Sequence, residues 1–155
     1  MRIVFLHGLE SRPGGDKPRY LQSAGHEVHE PELPKSDFEE SLFAAQTVID
    51  DHMPDVIVGS SRGGAVAMGV NPRGARLVLV APAWNKYGNS AKIARNSTIL
   101  HSENDDTVPY DDSVLLSTLN KVKLIKAGED HRMNDNDALV AMLAAVEGHG
   151  KTKDR

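Results

Sequence analysis

The sequence predicts an α/β protein: a doubly wound, mainly parallel sheet of about six strands with helices on both faces. Three observations predict it. Short apolar, β-branched runs recur along the chain, amphipathic segments separate them, and the alternation continues almost to the end of the 155 residues. Strands that are apolar on every position belong in a sheet covered on both sides, and parallel neighbours need helical crossovers between them.

Taken in order, RIVFLHG (Arg2 to Gly8) reads as a buried strand. Asp16 caps a short helix through Ala24, which Gly25 stops. HEVHEPEL (His26 to Leu33) alternates and reads as a more exposed strand at the sheet edge. Ser36 followed by Glu39 is a capping-box pattern, and Phe38, Leu42, Phe43, Ala45 and Ile49 then mark one helical face. Val56 to Ser60 is the next strand. Gly63 to Val70 is small and apolar all round, which predicts a buried helix. RLVLVAPA (Arg76 to Ala83), STILHSE (Ser97 to Glu103) and KVKLIKAG (Lys121 to Gly128) read as three further strands, with a helix from Asp111 to Leu119 between the last two. Asn134 begins a final helix whose Leu139, Met142, Leu143 and Val146 share a face before Gly148 ends it.

Composition narrows the partners. A formal net charge of −4 and the lack of a basic patch with interleaved aromatics argue against nucleic acid or an anionic membrane. The chain has no cysteine, so disulfides, thiolate nucleophiles and cysteine metal sites are excluded. The opening MRIVFLHG is too short for a signal-peptide core or a membrane span, which makes the cytoplasm the expected location. Residues 1–147 read as a single domain, and the polar stretch 148–155 as a frayed tail. Oligomeric state is left open.

In open α/β sheets, ligands bind beyond the carboxyl ends of the strands, so the loops after His7, Ser60, Ala83, Glu103 and Gly128 carry the chemistry. Gly59-Ser60-Ser61-Arg62-Gly63 fits G-x-S-x-G only with Ser61 at the centre. A tight strand-to-helix turn strains that central residue and lifts its side chain above the sheet, and the positions two before and two after come close enough to favour glycine. A serine hydroxyl becomes a good nucleophile only when a base takes its proton. Of seven histidines, His26 and His29 sit on the alternating strand, His52 suits a helix C-terminus, His149 lies in the tail, and His101 reads as a satisfied core residue. His7 and His131 remain at strand ends. A carboxylate must hold the base in one tautomer. LHSENDDTVP offers Glu103, Asp105 and Asp106 for this role, although acids there also favour turns.

The order serine, acid, histidine on this alternation resembles the α/β-hydrolase superfamily. FLHG is similar to the strand and oxyanion loop that open its core, GSSRGG to its nucleophile elbow, LHSENDDTVP to its H-G-x-x-D-x-x-V-P acid turn, and AGEDHR to its histidine loop. The resemblance covers residues 2 to about 147 and is strongest to small, cap-less bacterial serine esterases. It selects Asp105 over Asp106. It implies a minimal hydrolase core that cleaves small ester or thioester substrates through a seryl acyl-enzyme, without cofactor or metal. Ser61 would be the nucleophile, His131 the base and Asp105 its orienting acid, with the backbone N–H groups of Leu9 and Arg62 as the oxyanion hole; His7 becomes a structural residue of the oxyanion loop.

Two departures stand out: Ser102 replaces the usual glycine after His101, and Arg62 is charged where relatives are often apolar. The Arg62 side chain is expected to pair with Glu10, the other option being an acidic substrate group. The connection AWNKYGNSAKIARN (Ala83 to Asn96) is too short for a domain-sized lid, so an open, shallow site follows. Trp84 and Tyr87 in this connection either pack it onto the sheet or wall an acyl pocket. LESRPGGDKPR (Leu9 to Arg19) fails the phosphate-loop pattern and reads as a polar rim. Two other classes are weighed. A non-catalytic binding protein on the same scaffold would lack part of the serine, histidine, acid set, which is complete here; a nucleotide enzyme would need a G-x-G-x-x-G after the first strand, which is absent.

Overall fold

The computed structural model describes residues 1–9 and 11–148. The elements in chain order are β1 (Arg2–Leu6), α1 (Asp16–Ser23), β2 (Glu27–His29), α2 (Phe38–His52), β3 (Val56–Ser60), α3 (Arg62–Gly69), β4 (Arg76–Val80), β5 (Thr98–His101), α4 (Tyr110–Asn120), β6 (Lys123–Lys126) and α5 (Asn136–Glu147). The six strands form one sheet in the order β2-β1-β3-β4-β5-β6, and every neighbouring pair is parallel.

Period-two alternation within the strands decides what each face buries. Ile3, Phe5, Val56, Val58, Val78 and Val80 pack on one side with Leu21 of α1 and Met142, Ala145 and Val146 of α5. Val4, Leu6, Ile57, Leu77, Leu79 and Ile99 pack on the other with Ala45 and Ile49 of α2, Val66 and Ala67 of α3 and Leu116 of α4. Each fully buried large apolar side chain contributes roughly 1.5–3 kcal/mol relative to exposure. The expected doubly wound α/β sheet of about six strands is therefore present, and it is parallel throughout.

The chain runs outward from β1 to β2, then crosses back over β1 to β3 and continues the other way. The connections leaving the carboxyl ends of β1 and β3 thus diverge, and a crevice opens between them.

Element ends differ from expectation for local reasons. The second strand is three residues long, because Pro31 and Pro34 bring no N–H to a ladder. Asp37, not Ser36, caps α2, its carboxylate accepting from the Glu40 N–H at 3.1 Å. Phe43 is 76% exposed. The inward stripe of α2 is Ser41, Ala45 and Ile49, and two residues on from Ser41 the helix has turned by roughly 200°. Asp135 caps α5, which starts at Asn136 rather than Asn134. No helix among the described residues is long and apolar enough to cross a membrane. Past Gly148, the tail lies outside the described residues.

Helix α3 lies closer to the sheet than any side chain would allow. A Cβ on Gly63 would overlap the Leu6 carbonyl and come within 2.7 Å of the His7 carbonyl oxygen; one on Gly59 would overlap the Gly63 carbonyl. Gly64 faces Pro82, whose Cβ would stand 2.8 Å from an added Cβ. Gly63→Ala is therefore expected to cost about 3 kcal/mol or more by urea unfolding. Gly15→Ala, at φ −74° with open space around it, is expected to stay within about 1 kcal/mol of wild type.

Candidate active site

The crevice between β1 and β3 is lined by four loops, and the strand-to-helix turn at Ser61 forms its floor. Ser61 has φ 57° and ψ −116°, a region that costs a non-glycine residue of the order of 1–3 kcal/mol. Surrounding backbone holds it there. Its N–H donates to the Val80 carbonyl at 2.9 Å, and its own carbonyl accepts from the N–H of Gly64 at 2.9 Å and of Ala83 at 3.0 Å.

His131 arrives in the turn between β6 and α5. Its Nε2 lies 2.9 Å from Ser61 Oγ and its Nδ1 lies 2.6 Å from Asp105 Oδ2. The turn is tied down on several sides. The N–H of Glu129 donates to Asp135, the N–H of Gly128 to Asp137, and the N–H of Arg132 to Asp130, each at 3.0 Å. From the opposite wall, the Lys17 ammonium donates to the Arg132 carbonyl at 2.6 Å and to Asn134 Oδ1 at 3.0 Å.

Asp105 ends the turn after β5 with its carboxylate fully buried. Oδ1 accepts from the N–H groups of Thr107 (2.8 Å) and Val108 (2.7 Å). Oδ2 accepts from His131 Nδ1 and, at 2.9 Å, from His101 Nε2. Burial pushes this carboxyl up, but the hydrogen bonds from His131, Val108 and Thr107 outweigh it and hold the group below the ordinary carboxylate range. With the carboxylate ionised, His131 Nδ1 carries its proton and Nε2 is free to accept from the Ser61 hydroxyl.

His101 is wholly buried, as expected of a core histidine, yet it also belongs to this network. Its Nε2 faces two acceptors, Asp105 Oδ2 and the Val108 carbonyl at 3.1 Å, so Nε2 holds a proton; Nδ1 meets the Ser113 hydroxyl at 2.6 Å. Burial lowers its pKa and keeps the ring neutral, against the pull of Asp105. The pattern His-x-x-x-Asp in LHSENDD was the available signal for this link. Asp106 points elsewhere and accepts from the Thr107 hydroxyl. Ser102, in place of glycine, is buried and accepts from the Asn104 N–H at 3.1 Å, which closes the turn.

His7 is buried at the end of β1. Its Nε2 accepts from the Leu33 N–H at 3.0 Å, so Nδ1 is the protonated nitrogen and donates to the Gly8 carbonyl at 2.8 Å. A trans peptide sets C=O and N–H on opposite sides. Fixing the Gly8 carbonyl therefore fixes the direction of the Leu9 N–H. Arg62 supplies the first N–H of α3, which has no intrahelical acceptor.

The cavity holds about 770 Å³ and is lined by Ser61, His131, Leu9, Arg62 and Tyr87, with the 11–18 loop as one wall. That wall is the stretch read from the sequence as a polar rim. Trp84 is not part of the lining. It is buried in the α2–α3–α4 core with its indole N–H on the Asp112 carbonyl at 3.2 Å. The Arg62 side chain is buried too. It donates to the Pro34 carbonyl at 2.9 Å and lies 5.5 Å and 5.6 Å from the ring centres of Phe38 and Tyr87. Glu10, its expected partner, lies outside the described residues. Far from the cavity, Glu27, His29 and His52 each bring one ligand atom within 4.8 Å of the others. The two rings are stacked at 3.6 Å, and Glu27 Oε2 meets both Arg2 Nε at 3.0 Å and His29 Nε2 at 2.6 Å.

No protein-family model matches the chain, and no curated protein sequence matches it. Solved structures do. Alpha/beta hydrolase domain-containing protein 10 from mouse aligns over 98% of this chain and 90% of its own, with a TM-score of 0.79 at 15% identity. MGS-MChE2, an alpha/beta hydrolase enzyme from the metagenome of sediments from the Mar Chica lagoon in Morocco, aligns over 100% and 92%, with a TM-score of 0.75 at 18% identity. The esterase domain of a Rhodothermus marinus protein aligns over 97% and 86%, with a TM-score of 0.71 at 17% identity.

Because burial lowers the His101 pKa, the unfolded chain binds a proton there that the folded chain does not. Stability then rises with pH up to the unfolded value of about 6.5 and falls as pH drops below it. Asp105 acts in the same direction only near pH 4 and below, since its folded pKa is the lowered one. Urea midpoints between pH 5 and 8 are expected to fall on the acid side of about 6.5, and to fall less steeply in His101→Gln.

Proposed function

The chain has the α/β-hydrolase fold, and on it we propose a serine hydrolase of the carboxylesterase type that cleaves small esters or thioesters. The observation that carries this reading is the unbroken path Ser61 Oγ, His131 Nε2, His131 Nδ1, Asp105 Oδ2, with spacings of 2.9 Å and 2.6 Å at the two ends. It opens at the bottom of a cavity, on the residue whose backbone is the most strained in the turn.

In the first half of the reaction, Ser61 Oγ bonds to the substrate carbonyl carbon while its proton passes to His131 Nε2. The carbonyl π electrons move onto oxygen. The resulting oxyanion is met by the N–H groups of Arg62 and Leu9, each such donor being worth ~2.7–4 kcal/mol in the barrier. As the carbonyl reforms, the C–O or C–S bond breaks, and the leaving alkoxide or thiolate takes the proton from His131. In the second half, water adds to the acyl carbon and gives a proton to His131. Collapse then releases the carboxylic acid and returns that proton to Ser61 Oγ. Asp105 stays ionised throughout and steadies the imidazolium.

A fluorophosphonate probe is expected to label the wild-type protein and not Ser61→Ala; absence of labelling in folded wild type defeats the reading. Asp105→Asn forces the wrong His131 tautomer and is expected to lower kcat about 10⁴-fold. Asp106→Asn, whose side chain faces the Thr107 hydroxyl, is expected to stay within about twofold by the same ester assay.

A further inference from the structure

The cavity carries charge that the mechanism above leaves unused. The whole chain is acidic, at −4. Among the described residues lining the cavity, however, are Arg12, Lys17, Arg62, Lys86 and Arg132 against a single carboxylate, Asp16, although the Arg62 guanidinium is buried on the Pro34 carbonyl. None of the five forms an ion pair with a described residue. Arg2, Arg73 and Lys126, elsewhere on the surface, are paired with Glu27, Asp50 and Glu103.

Lys17 is held fast at the cavity wall. It is partly buried, and its ammonium has only neutral oxygens for partners, the Arg132 carbonyl and Asn134 Oδ1. An ammonium has three N–H donors, and these two acceptors leave the third without a described hydrogen-bond acceptor. Burial lowers its pKa to about 8, with Asp16 and Asp130 acting the other way and Arg132 reinforcing the fall. That is the behaviour of a desolvated cation with no carboxylate in hydrogen-bond contact. Lys17 is also fastened to the residues that follow His131, so its ammonium holds a set position relative to the reacting serine. Solvated rim lysines show none of these features.

We infer that the substrate carries an anionic group, a carboxylate or a phosphate, that seats on Lys17 with help from Arg132 and Arg12 while its ester carbonyl lies at Ser61. This specifies the substrate class of the proposed hydrolase and rests on that reading. It predicts an enzyme that favours charged over purely aliphatic esters, even though aliphatic residues build most of its interior.

Two substrate pairs test the inference. The carboxylate pair is mono-4-nitrophenyl adipate and its neutral counterpart 4-nitrophenyl 6-methylheptanoate. The phosphate pair is 4-acetoxyphenyl phosphate and 4-acetoxyanisole. The anionic member is expected to have a kcat/KM at least tenfold higher in one pair, and which pair responds separates carboxylate from phosphate. That preference is expected to shrink at 0.5 M NaCl, to drop at least tenfold in Lys17→Gln, to fall in Arg132→Gln, and to be partly kept in Lys17→Arg.

Ratios near or below one in both pairs overturn the inference, as does a preference that survives both Lys17→Gln and Arg132→Gln. Fluorophosphonate labelling of Ser61 without any anionic preference defeats only the inference and leaves the hydrolase standing. Calorimetry on Ser61→Ala gives an answer independent of turnover. Binding of the anionic ester at least tenfold tighter than of its neutral partner, with proton uptake at pH 8.5 as Lys17 becomes charged, supports the anion site. Equal binding overturns it.

Discussion

The fit of α3 against the ends of β1 and β3 is the constraint on which the site depends. Three glycines, Gly59, Gly63 and Gly64, allow the helix backbone to touch strand and loop backbone directly. That contact forces the chain to leave β3 through a residue at positive φ, and the residue is Ser61. It also brings the start of α3 beside the loop that follows His7, where a Cβ on Gly8 would stand 3.4 Å from the Ser61 Cβ. Hydrophobic burial elsewhere supplies the stability that this strain consumes. The small side chains of α3, buried nearly all round, serve the approach rather than the bulk of the core.

At the far end of the hydrogen-bonded path, a wholly buried carboxylate is kept ionised by four donors. Two are backbone N–H groups of its own turn, so Asp105 shapes the loop and holds the histidine with the same side chain. The other two are imidazoles on a single oxygen. Their surroundings divide the work. His101 has no exposure, sits against Ser113 and Tyr110, and is held neutral by burial. His131 lines the cavity and keeps one nitrogen turned toward Ser61. The buried ring gives that carboxylate oxygen a second fixed donor beside His131.

Much of this architecture was legible in the chain, and the failures have physical causes. The parallel sheet could be read because strands buried on both faces are apolar at every position. The order of helices and strands then left little freedom. Ends were less legible: Pro31 and Pro34 cut β2 short, and the α2 cap lies one residue beyond the apparent box, at Asp37. The Ser61 corner could be read because glycine spacing and the strand-helix boundary reinforce each other. Choosing among Glu103, Asp105 and Asp106 required the family resemblance, since an acid that shapes a turn looks the same in sequence as one that holds a histidine. The surroundings of Arg62 were hidden because Pro34, Phe38 and Tyr87 come from segments far apart in sequence. Trp84 shows the same limit, as only the packing of its loop against α4 decides that it faces inward.

The 11–18 loop forms one wall of the cavity, and that loop has two anchors. One is the Gly14 N–H on Glu30; the other is the Lys17 ammonium on the backbone beyond His131. The second anchor joins the wall that follows Leu9 to the turn that carries His131. An ammonium can hold two loops together through neutral oxygens only at the cost of partial desolvation, which is why its proton is weakly held. A carboxylate in that place would have cancelled the charge and closed the wall more cheaply. The fold instead holds the cation on neutral oxygens at the cavity wall, with Asp16 and Asp130 acting on it only through space.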